Sequence, residues 1–171
     1  DPAYDPNKPF ANRDPRLAMS IAYPGSNWFG RIYTALDPQF GGSSNPDYYL
    51  NDGSKAAQMS KKYLDPGIQN AERQNFDAPI MVIRLAEMYL TYAEAAVESG
   101  QNLVLGLEYL NKVRTRAGQI NATALTRELV RRERRVELAF EGLRYFDIKR
   151  WDLGPTVMSG PFYGSRLGTV N

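Results

Sequence analysis

Nineteen Asp and Glu residues and 21 Lys and Arg residues carry most of the chemistry open to this 171-residue chain, because it contains no histidine and no cysteine. Without imidazole there is no Ser-His-Asp triad, no histidine general base and no histidine-ligated metal. Without thiols there is no thiolate nucleophile, no disulfide and no cysteine zinc site. What survives is paired-carboxylate chemistry of the glycosidase type, Lys or Tyr chemistry, oxygen-ligated calcium, or binding with no covalent step. A glycosidase needs two carboxyls about 5 to 9 Å apart beside a cleft, one of them raised in pKa. Asp47, Asn51 and Asp52 before Gly53 look superficially like part of a calcium loop. The Asp-x-Asp-x-Asp-Gly spacing with a Glu at position 12 is absent, so the stretch reads as a turn and no metal is expected.

The strongest charge pattern is the run from Arg127 to Glu137, where Arg127, Arg131, Arg132, Arg134 and Arg135 alternate with Glu128, Glu133 and Glu137. Its cation surplus is too small for a phosphate-tracking stripe, and the whole chain carries only +2, so no nucleic-acid partner is expected. Glu133, Glu137 and Glu141 fall at i, i+4 and i+8, one row on one helix face. Arg84 or Arg114 is expected to meet Glu133 or Glu137 across packed helices, because a buried charge without a partner is costly.

Flat aromatic rings beside amides and carboxylates are the groups that hold sugars, and the first half of the chain is rich in them. Trp28, Phe29, Tyr33, Tyr48 and Tyr49 stand among Asn27, Asn45, Asp47 and Asn51. Trp28 and Tyr33 read first as pegs that anchor loops. Tyr48 and Tyr49, bracketed by Pro46 and Asn51, are the preferred ligand rings. The candidate ligand-binding set is therefore Trp28, Tyr33, Tyr48, Tyr49 and Asn51. Tyr145 and Trp151 read as core, and Tyr89 and Tyr92 as core or helix interface.

The elements that must position these groups differ between the two halves. Nine of the 11 prolines lie at or before Pro79. The same half carries the turn dipeptides Pro24-Gly25, Gly41-Gly42, Asp52-Gly53 and Pro66-Gly67, so residues 1–79 read as long loops with short elements. Helical spacing begins at Val82, Ala86, Tyr89, Leu90, Ala93 and Val97, with Pro79 suited to a helix start and Gly100 to its end. Leu103, Leu107, Leu110 and Val113 mark a second helix that stops at Gly118. Thr123 is placed to cap a third carrying Leu125, Leu129, Val136 and Phe140, and Gly142 precedes a shorter one from Tyr145 to Trp151. Helices are expected over 80–98, 103–117, 124–141 and 144–151, as two antiparallel pairs, and residues 155–171 read as a tail. The fold class is mostly α, with tetratricopeptide-like helix pairs beside a loop-rich, aromatic-rich N-terminal half.

Several words of the sequence then align with one family. Phe10-Ala11-Asn12-Arg13-Asp14-Pro15-Arg16-Leu17, followed by Tyr23-Pro24-Gly25 and Trp28, resembles the mid-chain signature of SusD-like (RagB/SusD) nutrient-binding lipoproteins. Arg84-Leu85-Ala86-Glu87-Met88-Tyr89-Leu90 with Ala93-Glu94-Ala95 is similar to that family's first helical word, and Leu110-Asn111 through Ala117-Gly118 to its second. Glu133-Arg134-Arg135 through Lys149-Arg150-Trp151 is similar to its closing word. These blocks occur in the family's order over about residues 9–152. The resemblance implies a protein without catalytic activity or cofactor. Such a protein would be lipid-anchored on the outer-membrane surface of Bacteroidetes-type bacteria and would serve polysaccharide utilisation. It would bind an oligosaccharide or other nutrient and deliver it to a SusC-like TonB-dependent transporter. It also implies that residues 1–171 are one fragment of a SusD-like domain, with the lipid anchor outside it. The competing readings are a tetratricopeptide-like interaction scaffold with no ligand of its own, and a carboxylate-dependent glycosidase.

Overall fold

Leu90, Ala93, Leu110, Val113 and Val130 recur at helical spacing and are fully or almost fully buried, and around them the second half of the chain folds. The computed structural model describes residues 5, 7–28, 30–34, 39–40, 43–44, 58–64 and 81–161. It is mostly helical, with the tetratricopeptide-like helix pairs expected. Six helices are described: α1 (Arg16–Ser20), α2 (Leu85–Ser99), α3 (Leu103–Arg116), α4 (Arg127–Glu137), α5 (Arg144–Arg150) and α6 (Gly154–Val157). The chain divides into two units, one made of residues 1–13, 17–79 and 159–171, the other of residues 14–16 and 80–158.

In the helical unit, Gly100 takes a left-handed φ of 70° and ends α2, so α3 turns back after a short connection. Tyr89 meets Tyr109, while Gly106 faces Ala93 and Ala96; numbers rise on α2 as they fall on α3, which makes the pair antiparallel. Gly106 is needed at that crossing. A Cβ there would stand 2.8 Å from the Ala96 Cβ and from Leu125 Cδ2. The helix α4 also runs against α2, since Arg84 reaches Glu137 and Glu141, Thr91 reaches Arg134, and Glu98 reaches Arg127. Ala86, Leu90, Ala93, Leu110, Val113, Val130 and Leu138 form the core they share.

Three boundaries differ from the sequence expectation. The first helix begins at Leu85 rather than near residue 80, because Arg84 is extended (φ −138°, ψ 157°) with its guanidinium committed to α4. The third is capped by Thr126, whose hydroxyl accepts from Leu129 N at 3.2 Å, not by Thr123. Asn111 explains this, since its amide donates to Ala122 O and accepts from Ala122 N, holding the approach to α4 as a loop. That same helix stops at Glu137, and Phe140 has a positive φ of 66°. Its ring is 51 % exposed instead of lying in the core, and Tyr145, also read as core, is 64 % exposed.

The loop-rich unit is described through three two-residue antiparallel ladders. The strands β1 (Ile21–Ala22) and β6 (Met59–Ser60) pair, as do β2 (Asn27–Trp28) with β3 (Arg31–Ile32), and β4 (Gln39–Phe40) with β5 (Ser43–Ser44). Gly30, at φ 84°, makes the tight β2–β3 turn. Lys61 donates its ammonium to Ala18 O at 2.9 Å and Asn27 O at 3.3 Å, tying α1 to β2.

Candidate functional site

The charged row of α4 is built into the helical unit rather than offered to a ligand. Glu133 and Glu137, one turn apart, are each 3 % exposed. Arg16 Nη1 donates to both, at 2.7 and 2.9 Å, while Asp14 holds the rest of that guanidinium. Arg114 reaches Glu133 at 2.7 Å; Arg84 reaches Glu137 at 2.7 Å and clasps both oxygens of Glu141. Arg116 also pairs with Glu137. Around Trp151, Arg150 and the indole N–H both donate to Glu94, and the Arg131 and Arg150 guanidiniums lie 4.8 Å from the ring centroid. Arg134 holds Asp147 with Nε 2.9 Å from each oxygen.

These contacts decide what the acids can do. Burial alone would raise Glu94, but the bonds from Arg150 and Trp151 outweigh it and hold the carboxyl below its ordinary range. Burial would likewise raise Asp14, but the bonds from Arg16 outweigh it and hold that carboxyl below its ordinary range; the Arg127 bond lowers Glu98. A glycosidase acid must move the other way. No group of three or more Asp or Glu among the described residues is arranged to hold a metal ion.

Of the expected ligand rings, Trp28 and Tyr33 face each other across the β2–β3 hairpin, with centroids 6.1 Å apart and planes at 45°. They are 3 % and 2 % exposed, so neither presents the bare face that stacking on a sugar requires. Tyr48, Tyr49 and Asn51 lie outside the described residues.

An open groove of about 590 Å³ runs along the outer side of α3, lined by Glu108, Asn111, Lys112, Thr115, Arg116 and Asn121. Thr115 donates to the Asn121 side-chain oxygen at 2.8 Å. Lys112 pairs with Glu108 at 2.9 Å, and its ammonium lies 5.0 Å from the centre of Tyr109. Tyr109 stacks on Tyr89 at 4.8 Å and meets Tyr92 edge-on at 5.0 Å. Amide, hydroxyl and paired charges in one shallow channel can exchange hydrogen bonds with a polyol. The sequence reading passed over this channel. Residues 108, 111, 112, 115 and 116 do share a helical face, but that spacing is also the solvent side of an ordinary amphipathic helix.

A model described as the SusD family matches residues 1–171. A SusD-like protein of Bacteroides ovatus is 40 % identical over 74 residues, covering 41 % of this chain and 13 % of that protein. SusD-like protein P2 of Formosa agariphila is 27 % identical over 161 residues, covering 87 % of this chain and 30 % of that one. Among solved structures, a SusD-like protein of Bacteroides fragilis aligns with a TM-score of 0.70 at 30 % identity, over 89 % of this chain and 30 % of its own. A SusD-like carbohydrate binding protein of the same species aligns with a TM-score of 0.69 at 35 % identity, over 90 % of this chain and 31 % of its own. The chain thus spans less than a third of the length of each of these proteins.

Proposed function

The chain belongs to the SusD family, and from that premise we propose that the whole protein captures an oligosaccharide, or another nutrient, at the cell surface. It then passes this ligand to a SusC-like TonB-dependent transporter, without covalent chemistry. The observation that supports glycan as the ligand is the 35 % identity and shared backbone, over 90 % of the chain, with the SusD-like carbohydrate binding protein of Bacteroides fragilis. No helix among the described residues is long and apolar enough to cross a membrane; attachment at the outer-membrane surface is assigned to a lipid anchor outside residues 1–171. Capture would rest on several weak contacts, and pairing with the transporter would raise the ligand's local concentration at its mouth.

Two places are proposed to touch ligand. Tyr48, Tyr49 and Asn51 supply ring faces and an amide, and the α3 groove supplies Thr115 and Asn121. Trp28 and Tyr33 act through the loop they peg, for a sugar could reach either ring only after its cover moved. The burial of these two rings is also what a scaffold with no ligand of its own would show, and that is the second reading.

Calorimetry separates the two. The full-length protein is titrated with maltoheptaose, xylohexaose and oligogalacturonate, alongside Tyr48→Ala, Tyr49→Ala and Asn121→Ala variants checked for unchanged melting temperature. Saturable heat that disappears in at least one variant is expected. Folded protein that gives no heat with any of these glycans, nor with a wider oligosaccharide panel, leaves the scaffold reading.

A further inference from the structure

Four arginines surround the acids of α4, and they differ in how much of each guanidinium is used. Arg16 commits Nε, Nη1 and Nη2 to Asp14, Glu133 and Glu137. Arg84 commits all three nitrogens to Glu137 and Glu141, and Arg114 commits all three to Glu133 and the carbonyl of Ile120. Arg116 gives only Nη2, and gives it to a Glu137 oxygen that Arg84 already holds. Its Nε and Nη1 have no partner among the described residues, although a guanidinium carries five N–H donors. Its side chain is also the most exposed of the four, at 61 %. Arg116 is therefore surplus to the buried ion pairs, and it stands at the end of α3 in the wall of the groove.

The other polar groups of that wall fall the same way. Lys112, one turn before Arg116, gives one bond to Glu108, and an ammonium has three N–H to give. Thr115 donates to Asn121 Oδ1, which leaves the Asn121 Nδ2 donors without a partner among the described residues. Asn111 adds nothing more, because its amide is spent in both directions on Ala122. The lining thus holds two cations against one acid, and that acid, Glu108, is already answered by Lys112. What remains uncommitted is mainly donor: Arg116, Lys112 and the Asn121 amide. A neutral sugar hydroxyl both gives and accepts, so it matches such a wall only in part. A carboxylate or a sulfate ester only accepts, and its charge strengthens each bond it takes from a guanidinium or an ammonium.

We propose that the α3 groove recognises an acidic glycan, one carrying uronate carboxylates or sulfate esters, whose anion pairs with Arg116 and Lys112 while Thr115 and Asn121 take the neighbouring hydroxyls. The proposal rests on the reading of this groove as a glycan site and narrows it to a substrate class. Calorimetry on the full-length protein at low ionic strength tests it. The probes are oligogalacturonate and a sulfated galactan oligosaccharide, each beside its neutral counterpart, the methyl ester and the desulfated sugar. At least one acidic probe is expected to bind about ten-fold more tightly than its neutral counterpart, and which one does so tells carboxylate from sulfate. Added salt should shrink that gap, and Arg116→Gln should close it to within about two-fold. Arg116→Gln should keep the parent melting temperature, because Arg16 and Arg84 still pair with Glu137. Lys112→Gln, which touches no buried acid, is expected to narrow the gap in part and serves if Arg116→Gln fails to fold. A neutral glycan bound as tightly as either acidic one, or a gap untouched by both variants, overturns the proposal and leaves glycan capture standing. Heat from no glycan at all, acidic or neutral, removes the functional reading and this proposal with it.

Discussion

The helical unit and the loop-rich unit both bury aromatic residues and tie distant stretches of chain together, but only the helical unit buries charged residues among those described. In the helical unit Glu133 and Glu137 sit one turn apart with Glu141 just beyond α4, and the arginines that answer them come from α3 (Arg114), from the residue before α2 (Arg84) and from the start of α1 (Arg16). In the loop-rich unit Lys61 gathers Ala18 and Asn27, residues 43 and 34 positions away, and the strands that frame them are two residues long. Both sets of contacts join distant stretches of chain, Arg16 and Glu133 lying 117 positions apart; what differs is that periodic helices align the first set, whereas elements a few residues long frame the second. The lesson concerns where truncation should hurt and why.

The sharpest contrast is between one ring and one carboxylate. Trp28→Ala removes a nearly fully buried indole from a loop-rich region, with a cavity that short ladders fill poorly, and is expected to cost about 3–5 kcal/mol. Glu137→Ala leaves Arg84 and Arg16 without a carboxylate they share, at a cost of about 3 kcal/mol. Chemical denaturation of both variants measures this. If Glu137→Ala proves neutral, the arginine lattice adds no stability and its role is confined to register. If Trp28→Ala proves neutral, the ring is no peg and its burial in the hairpin has another cause.

A smaller effect separates the units by pH. Glu94 is held below its ordinary value of 4.5, so the stability it adds is fully present above that pH and is lost as pH falls through the lowered folded value. Glu94→Gln is expected to be less stable than the parent at pH 7 and to show a shallower loss of stability below about pH 4.5. Equal acid slopes in the two proteins would mean that the Arg150 and Trp151 bonds to Glu94 do not persist in solution.

How much of this was legible follows the same division. Helix identity, the Gly100 stop and the fold class could be read because apolar spacing and a left-handed glycine are local signals. The start of α2 and the end of α4 could not, since Arg84 and Phe140 adopt conformations set by partners far along the chain or by the turn after Glu137. Gly106 carries no signal in the sequence, and only its approach to Ala96 shows why a side chain is excluded there. The α3 groove was hidden for the opposite reason: a polar helical face has one pattern whether it binds or merely meets water. Tyr145 was read as core together with Trp151 because both stand in the closing word, but only Trp151 is buried.

The smallest stability effect carries the most functional information. Thr115 and Asn121 are exposed and bonded chiefly to each other within the groove, so Thr115→Ala with Asn121→Ala should change stability by no more than about 0.5 kcal/mol. Both side chains nonetheless offer donors and acceptors along one edge of the channel, where a sugar hydroxyl could replace their mutual bond. If the groove holds ligand in the full-length protein, the double variant loses affinity by about 1–3 kcal/mol, because hydroxyl partners on the sugar are left without their protein groups. Tyr48→Ala, measured beside it, is expected to weaken binding through lost ring area. A double variant that binds as the parent does while Tyr48→Ala does not would assign recognition to the loop-rich unit. The reverse result would move it onto the helical one, where a polar face otherwise indistinguishable from a solvated surface would have acquired its ligand.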